Sequence, residues 1–214
     1  MPPREGQNAV TAPTLYLSGA VRELYATAGL GFMFNPAMGN RRPDGAAWAA
    51  DNGCFTAGDR FDPGAWLAWL DRQDRGHCMF AVAPDVVGDA AATAARSSAY
   101  LPTIRRLGFA PAYVAQDGWD AAAVDWTAFD VLFIGGSTEF KVGAVARGAV
   151  LEAQGRGKRV HMGRVNSGRR FALAASWGCD SVDGTYLCFT GPPGLPDVLG
   201  WMRAAAQPDL WARS

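Results

Sequence analysis

The segment 78–107, CMFAVAPDVVGDAAATAARSSAYLPTIRRL, holds one complete strand and helix unit of the chain. Its apolar residues 78–84 predict a buried strand, and the alanine-rich residues 89–107 predict a helix with an aspartate at its N-terminus. Gly108 follows, and a glycine in that place is typical of a helix end. Asp85 therefore lies where a strand ends and the chain turns toward its helix.

The same strand and helix pattern recurs along the sequence. The predicted strands are 14–18, 30–35, 48–52, 78–84, 112–116, 131–135, 159–163 and 179–183, and the predicted helices are 65–75, 89–107, 142–154 and 168–177. These alternations predict an α/β fold, a closed (β/α)₈ TIM barrel that forms one compact domain over 13–214. Residues 1–12 are expected to be a disordered lead-in. The segment 35–45, rich in Gly, Pro, Asn and Arg, is expected to be an active-site loop.

Composition narrows the functional classes. The 214 residues are 49% hydrophobic, enough for a full core, and no apolar run reaches membrane-spanning length. Residues 1–6 lack the apolar core of a signal peptide, so we expect a cytoplasmic protein without a membrane partner. The 4 cysteines are scattered and lack the spacing of a zinc knuckle. We therefore expect that the protein has no structural metal and no disulfide framework. The formal charge is +0, so binding to a nucleic acid would need a local basic surface.

Polar or glycine-rich residues end most of the predicted strands. They are Asn35, Asp51 with Asn52, Asp85, Gln116 with Asp117, Gly135 with Gly136 and Ser137, Met162 with Gly163 and Arg164, and Asp183. The carboxyl ends of barrel strands meet on one face, where barrel enzymes hold their catalytic residues. Two carboxylates on that face, Asp51 and Asp183, indicate chemistry at a glycosidic bond. One attacks or stabilises the sugar carbon, and the other handles the proton of the leaving group.

Several of these residues also have a purely structural interpretation. Asp85 alone would be a turn residue, and Gln116 alone a satisfied amide at a strand end. Gly135 and Gly136 either end a strand tightly or let backbone amides approach a flat ligand. His161 lies in the middle of a predicted strand, so we expect a buried, hydrogen-bonded histidine rather than a ligand or a base.

A second signal follows the seventh predicted strand, where 163–170 runs into a predicted helix. A helix N-terminus favours an anion, and barrels often bind phosphate at this place. The predicted phosphate or nucleic-acid contacts are Arg41, Arg42, Lys141, Arg164, Asn166, Ser167, Arg169 and Arg170. Asn166 or Ser167 would cap the helix in any case, and solvated surface charge is the alternative for each cation.

Six short motifs lie in order along residues 48–186, at the ends of predicted strands. They are ADNGCF (50–55), APDVVGD (83–89), YVAQDG (113–118), LFIGGS (132–137), VHMGRV (160–165) and GCDSVDGT (178–185). Together they resemble the tRNA-guanine transglycosylase superfamily, whose members exchange a base at a ribose.

The resemblance implies a role for each motif. Asp183 would be the nucleophile that forms a covalent link to C1′ of the sugar, and Asp51 would act in acid and base chemistry. The residues implied to hold a guanine or 7-deazaguanine base are Asp85, Gln116, Gly135, Gly136 and Met162. The candidate stacking surfaces for the base are Phe32, Phe55 and Met162, and these three could equally belong to the core. The chemistry needs no metal or redox cofactor.

The sequence departs from the family members that act on tRNA. After Asp183 it has neither their zinc site of three cysteines and a histidine nor their basic RNA-contacting elements. The compact, zinc-free form is similar to the branch, found in phages and bacterial genomic islands, that inserts 7-deazaguanines into DNA. We therefore expect guanine exchange in DNA, with a base such as 7-cyano-7-deazaguanine entering. The alternatives are a tRNA substrate, an N-glycosidase acting on nucleosides or nucleotides, and a non-catalytic barrel that binds a modified base.

Overall fold

Eight parallel strands pair in chain order, and the first also pairs with the eighth, which closes them into a barrel. The strands are β1 (Leu15–Ser18), β2 (Leu30–Phe34), β3 (Trp48–Ala50), β4 (Cys78–Val82), β5 (Pro111–Ala115), β6 (Val131–Ile134), β7 (Arg159–Met162) and β8 (Ser181–Asp183). This computed structural model describes residues 15–19, 24, 27–38 and 42–206. The predicted (β/α)₈ barrel is confirmed, and the predicted lead-in 1–12 lies outside the described residues.

Helices follow most of the strands and cover the outside of the barrel. Within the described residues they are α1 (Cys54–Ala57), α2 (Pro63–Asp71), α3 (Ala90–Ser98), α4 (Leu101–Arg106), α5 (Thr138–Val142), α6 (Ala144–Gly155), α7 (Gly168–Ser176), α8 (Tyr186–Thr190) and α9 (Leu195–Ala205), with 3₁₀ turns at Gly58–Arg60, Ala121–Ala123 and Pro192–Gly194. Asp62 and Asp89 cap α2 and α3, because each side chain accepts hydrogen bonds from N–H groups of the first turn. Both helix starts agree with the sequence prediction.

One predicted helix is divided in the structure. The helix predicted over 89–107 becomes α3 and α4, because Pro102 has no N–H to continue the pattern of α3 and lies in the first turn of α4. The helix predicted over 142–154 corresponds to α6, and α5 is an additional helix before it, separated from α6 by Gly143 in an extended conformation. The sequence did not predict α8 and α9, since prolines and glycines in 191–196 obscure their apolar spacing.

Side chains that alternate along the strands divide the core into two layers. Phe80 and Val114 belong to the cluster inside the barrel, whereas Trp48 belongs to the larger cluster between the barrel and its helices. Phe32 and Met162 also pack in this outer cluster and are 0% and 2% exposed. The predictions that their side chains stack on a base, and that Met162 helps to hold it, are therefore wrong. Both residues occupy outward positions, so their side chains belong to the core.

Candidate active site

Asp183, the last residue of β8, occupies an inward position at the carboxyl end of the barrel. Its Oδ1 lies 3.0 Å from Nε2 of His161, and its Oδ2 accepts a long hydrogen bond of 3.4 Å from the backbone N–H of Arg164. The side chain is 18% exposed. These contacts orient the carboxylate and leave part of it accessible from the mouth of the barrel, as a nucleophile requires.

His161 connects Asp183 to the interior of the barrel. Its ring is fully buried, and Nδ1 lies 2.8 Å from the hydroxyl oxygen of Ser181. The rings of Phe80 and Phe133 flank it, with centroids 4.9 and 4.6 Å away. In a neutral ring, donation from Nε2–H to the carboxylate leaves Nδ1 to accept the Ser181 hydroxyl. A buried, hydrogen-bonded histidine is thus confirmed.

The contact between His161 and Asp183 was missed in the sequence, although a signal for it was present. The register pairs His161 with Ser181, so Asp183 follows at the next inward position of the neighbouring strand. Two inward polar residues on paired strands lie close together. His161 therefore joins the site as a residue that positions the carboxylate of Asp183.

Asp51 follows β3 on the same face of the barrel. Asn35 donates a 3.2 Å hydrogen bond to Oδ2 of Asp51, and Trp66 Nε1 donates to its backbone oxygen at 3.1 Å. Burial, and after it the charge of Asp183, raises the pKa of Asp51 from 3.8 to about 6. A carboxyl group with that pKa gains and loses a proton near neutral pH, which is what an acid or base catalyst needs.

The raised pKa of Asp51 makes a prediction about stability. The folded protein binds this proton more tightly than the unfolded chain, so the stabilisation is complete below pH 3.8 and is lost as pH rises through about 6. Asp51→Asn carries no charge, and its free energy of unfolding should exceed that of the wild type by up to about 2–3 kcal/mol at pH 8. The two proteins should differ least near pH 4. Urea unfolding at pH 4, 6 and 8 measures this, and a difference that does not change with pH would contradict it.

Asp85, Gln116 and Asn52 form a buried polar cluster on the same face. Gln116 Nε2 donates a 2.6 Å hydrogen bond to Oδ2 of Asp85, and Asn52 Nδ2 donates a 2.9 Å bond to Oδ1. Gln116 Oε1 accepts a bond from the backbone N–H of Gly88. Burial raises the pKa of the Asp85 carboxyl. The structure thus joins two of the predicted base contacts, Asp85 and Gln116, in one hydrogen-bond network. Asp85 is therefore more than a turn residue.

Gly135 and Gly136 lie against this cluster. A Cβ at Gly135 would be 3.2 Å from Nε2 of Gln116, and Gly136 has φ 74°, a conformation that favours glycine. Asp117 stabilises the turn that follows β6, because its carboxylate accepts hydrogen bonds of 2.8 and 2.6 Å from the backbone N–H and the hydroxyl of Ser137. A Cβ at Gly135 would also be 2.6 Å from Cγ1 of Val114, and one at Gly136 would be 2.7 Å from Oδ2 of Asp117. Atoms of the protein therefore fill the space beside both glycines, as expected for a tight strand end.

A cavity of about 480 Å³ opens next to Asp85 rather than over Asp51 and Asp183. Its walls include Phe55, Phe61, Val86, Arg96 and Tyr100. Small-molecule sites commonly have this volume and this mixture of aromatic and charged side chains. Phe55 is 66% exposed, so this predicted stacking surface is accessible to a planar ligand.

The predicted phosphate contact of Arg42 is wrong. Arg42 lies at the N-terminal end of β3, where its guanidinium stacks over Trp48 at 4.4 Å and lies 3.8 Å from the carboxylate of Asp74. Arg42 therefore lies at the amino end of the barrel strands, because it contacts Trp48, the first residue of β3. Asp51 follows the last residue of β3 and lies at the opposite, carboxyl end. Arg41 lies outside the described residues.

Asn166 and Ser167 stabilise the loop between β7 and α7. Asn166 Oδ1 accepts bonds of 2.7 and 3.2 Å from the backbone N–H groups of Thr185 and Tyr186, at the start of α8. Ser167 caps α7 by accepting a bond from the N–H of Arg170. The Asn166 side chain thus joins loop to loop. Its Nδ2, the group that could donate to a phosphate, lies 3.2 Å from the Thr185 hydroxyl, and the predicted phosphate contact stays a prediction. For Ser167 the capping alternative is confirmed.

Arg164 and Lys141 lie on the carboxylate face, with Arg169 exposed nearby. Arg164 has φ 57°, a backbone conformation that residues other than glycine rarely adopt. Its guanidinium donates to the carbonyl oxygen of Gly136 and lies 4.8 Å from the ring centroid of Phe55. Strained backbone of this kind is concentrated at functional sites.

Three of the four cysteines are poor nucleophiles at neutral pH. All four are free thiols, and burial raises the pKa of Cys54, Cys78 and Cys179 to about 12. Within the part of the chain that the structure describes, no group of three or more His, Cys, Asp or Glu residues could hold a metal ion. None of the described helices is long and apolar enough to cross a membrane. Carboxylates and cations are therefore the reactive groups of this face.

No protein-family model and no curated protein matches the chain. Among solved structures, it is similar to the Native KDPGal structure, with 15% identity, a TM-score of 0.61 and coverage of 95% of this chain and 100% of that chain. It is also similar to tryptophan synthase from M. tuberculosis, at 11% identity and TM-score 0.55, over 92% of this chain and 93% of that one. The Amycolatopsis orientalis BexX/CysO complex matches at 17% identity and TM-score 0.55, covering 91% and 88%. Identities this low show a shared barrel fold, which is a fold of enzymes, and leave the activity open.

Proposed function

We propose that this chain is a base-exchanging transglycosylase that replaces guanine in a nucleic acid, DNA in preference to tRNA, with a 7-deazaguanine. The observation that carries the proposal is the pair of carboxylates Asp51 and Asp183. Burial, and after it the charge of Asp183, raises the pKa of Asp51 to about 6, whereas the carboxylate of Asp183 is oriented by His161. Two carboxyl groups with different environments can divide the roles of nucleophile and proton carrier.

In the first step a carboxylate oxygen of Asp183 attacks C1′ of the target nucleotide. The C1′–N9 bond breaks, its electron pair goes to the guanine, and protonated Asp51 gives that guanine a proton. His161 donates to Oδ1 of Asp183 at 3.0 Å and keeps the carboxylate in one orientation. The product of this step is a sugar ester of Asp183 and free guanine.

The second step reverses the first with a different base. The 7-deazaguanine loses its N9 proton to ionised Asp51, its nitrogen attacks C1′, and the C1′–O bond breaks. Asp183 leaves as a carboxylate and Asp51 is protonated again, so the enzyme is ready for another cycle. A target base in a duplex must first be flipped out or presented in a single strand, and exposed Phe55 offers an aromatic surface for it.

The test is incorporation of a labelled base. The protein is incubated with labelled 7-cyano-7-deazaguanine and, in separate reactions, guanine-containing DNA, tRNA or free deoxyguanosine. Label in the DNA supports the proposal. Label in the tRNA alone would mean that the substrate is tRNA and not DNA. Release of guanine without incorporation of the label would contradict exchange and indicate hydrolysis.

The base site makes a further prediction. Asp85→Asn keeps the size of the side chain but removes the charge that accepts from Gln116 and Asn52. We expect guanine affinity to fall by about 10- to 100-fold, because the donor edge of the base meets an amide instead of a carboxylate. Titration of the protein with guanine and adenine, followed by fluorescence, measures affinity and selectivity. Equal guanine affinity and selectivity in the variant and the wild type would contradict the assignment.

A second candidate is an N-glycosidase that acts on a small nucleoside or nucleotide. It is favoured by the loss of Arg42 from the predicted basic surface, since Arg42 lies at the opposite end of the barrel. This enzyme would use the same two carboxylates without a polymer. In the labelling experiment it would release guanine from deoxyguanosine and leave DNA unlabelled.

A further inference from the structure

Lys141 is a buried lysine that the two-step mechanism does not use. The residue is 4% exposed, and its ammonium group has no hydrogen bond or ion pair with any residue that the structure describes. Burial, followed by the charge of Arg164, lowers the pKa of Lys141 to about 8. The ammonium nitrogen itself keeps contact with solvent. An anion from solution can therefore reach it, and the burial of the rest of the side chain favours such a partner.

The cations around Lys141 form no ion pair with any described residue, although the charges of Asp183 and Asp117 act on Lys141 from a distance. Arg164 and Arg170 both act on its charge, and their own hydrogen bonds go to neutral groups. Arg164 donates to the carbonyl of Gly136, and Arg170 lies 3.3 Å from both the carbonyl of Arg164 and the hydroxyl of Thr138. The nearby carboxylate of Asp117 is bonded to Ser137. Three positive charges therefore converge without an ion pair among the described residues.

The backbone adds to this positive potential. Arg170 lies in the first turn of α7, whose N-terminus is capped by Ser167. Cations are unfavourable at a helix N-terminus, because the helix dipole already places partial positive charge there. An anion that binds between α7 and Lys141 would relieve this repulsion as well as the burial of the lysine.

We propose that Lys141, Arg164 and Arg170 form a binding site for one phosphate group of the substrate, next to Asp183. The backbone N–H of Arg164 lies 3.4 Å from Oδ2 of Asp183, so a phosphate bound here lies beside the reacting sugar. Its identification as a phosphate of the target nucleotide rests on the proposed function, whereas anion binding does not. The site makes the enzyme prefer a phosphorylated sugar to a free nucleoside.

The test compares Lys141→Met with Lys158→Met. Lys158 precedes β7 at the opposite end of the barrel, where its ammonium donates to the carbonyl of Phe129. Binding of inorganic phosphate, deoxyguanosine and deoxyguanosine 5′-monophosphate is measured by calorimetry for the wild type and both variants. We expect Lys141→Met to weaken binding of phosphate and of the monophosphate at least tenfold and to leave deoxyguanosine binding unchanged. Lys158→Met should match the wild type for all three.

Thermal unfolding without phosphate shows that the variants fold. Lys141→Met should raise the Tm by about 2–4 °C, because it removes a partly desolvated charge that forms no ion pair, and Lys158→Met should not. Phosphate binding that is equal in the wild type and Lys141→Met would overturn the proposal, and so would a lower Tm for Lys141→Met. If the protein binds phosphate but exchanges no base, the anion site at Lys141 is supported and the proposed function is refuted.

Discussion

Asp183→Asn should fold normally and lose base exchange by a factor on the order of 10⁴ or more, as expected when the nucleophile of a covalent mechanism is removed. An amide cannot form the sugar ester. The amide oxygen can still face Nε2 of His161, which lies 3.0 Å from Oδ1 in the wild type, so we expect little change in thermal stability. Steady-state exchange of labelled base and thermal unfolding measure the two effects.

The matched control for this variant is Asp180→Asn. Asp180 lies just before β8, at the opposite end of the barrel, and its carboxylate accepts a 2.7 Å bond from the N–H of Val160. The same chemical change there should leave exchange within a few-fold of the wild type. Near-normal turnover in Asp183→Asn would remove Asp183 from the role of nucleophile.

Asp51→Asn should slow exchange by about 10²- to 10⁴-fold, the usual contribution of a positioned acid or base. Departure of guanine needs the protonated form of Asp51, whose pKa is raised to about 6. In the wild type, kcat/KM for guanine release should therefore fall about tenfold for each pH unit above that value. The variant should show no such slope.

The pH profile distinguishes this role from a structural one. Asn35, which donates to Asp51 Oδ2 at 3.2 Å, provides the comparison. Asn35→Ala removes a bond that lowers the pKa of Asp51, so its profile should shift to higher pH and keep its shape. A wild-type profile without an inflection between pH 5 and 8 would contradict acid catalysis by Asp51.

The barrel could be predicted because its signals are local. Apolar runs such as 78–84 mark the strands, and inward and outward side chains alternate along them. That alternation also places Asp51 and Asp183 at one end of the barrel, so the two carboxylates were found from the sequence. The same reasoning found Asp85 and Gln116, which the structure joins by a hydrogen bond of 2.6 Å.

The errors arose where the outcome depends on contacts between distant segments. Arg42 looked like a loop cation, but its stacking on Trp48 fixes it at the far end of the barrel. The bonds that the Asn166 oxygen accepts at the start of α8 were missed, because the sequence did not reveal that helix. Met162 ends its strand as the motif requires, yet it points outward because His161 takes the inward position.

The most direct test of the central claim is the identification of the covalent intermediate. The protein is mixed with guanine-containing DNA without an incoming base, denatured, digested with nuclease and trypsin, and analysed by mass spectrometry. Trypsin cuts after Arg170 and Arg203, so Asp183 lies in a single peptide. We predict a deoxyribose ester on Asp183 in that peptide and none in Asp183→Asn. Active exchange without an adduct, or an adduct on Lys141 or any other residue, would contradict the mechanism.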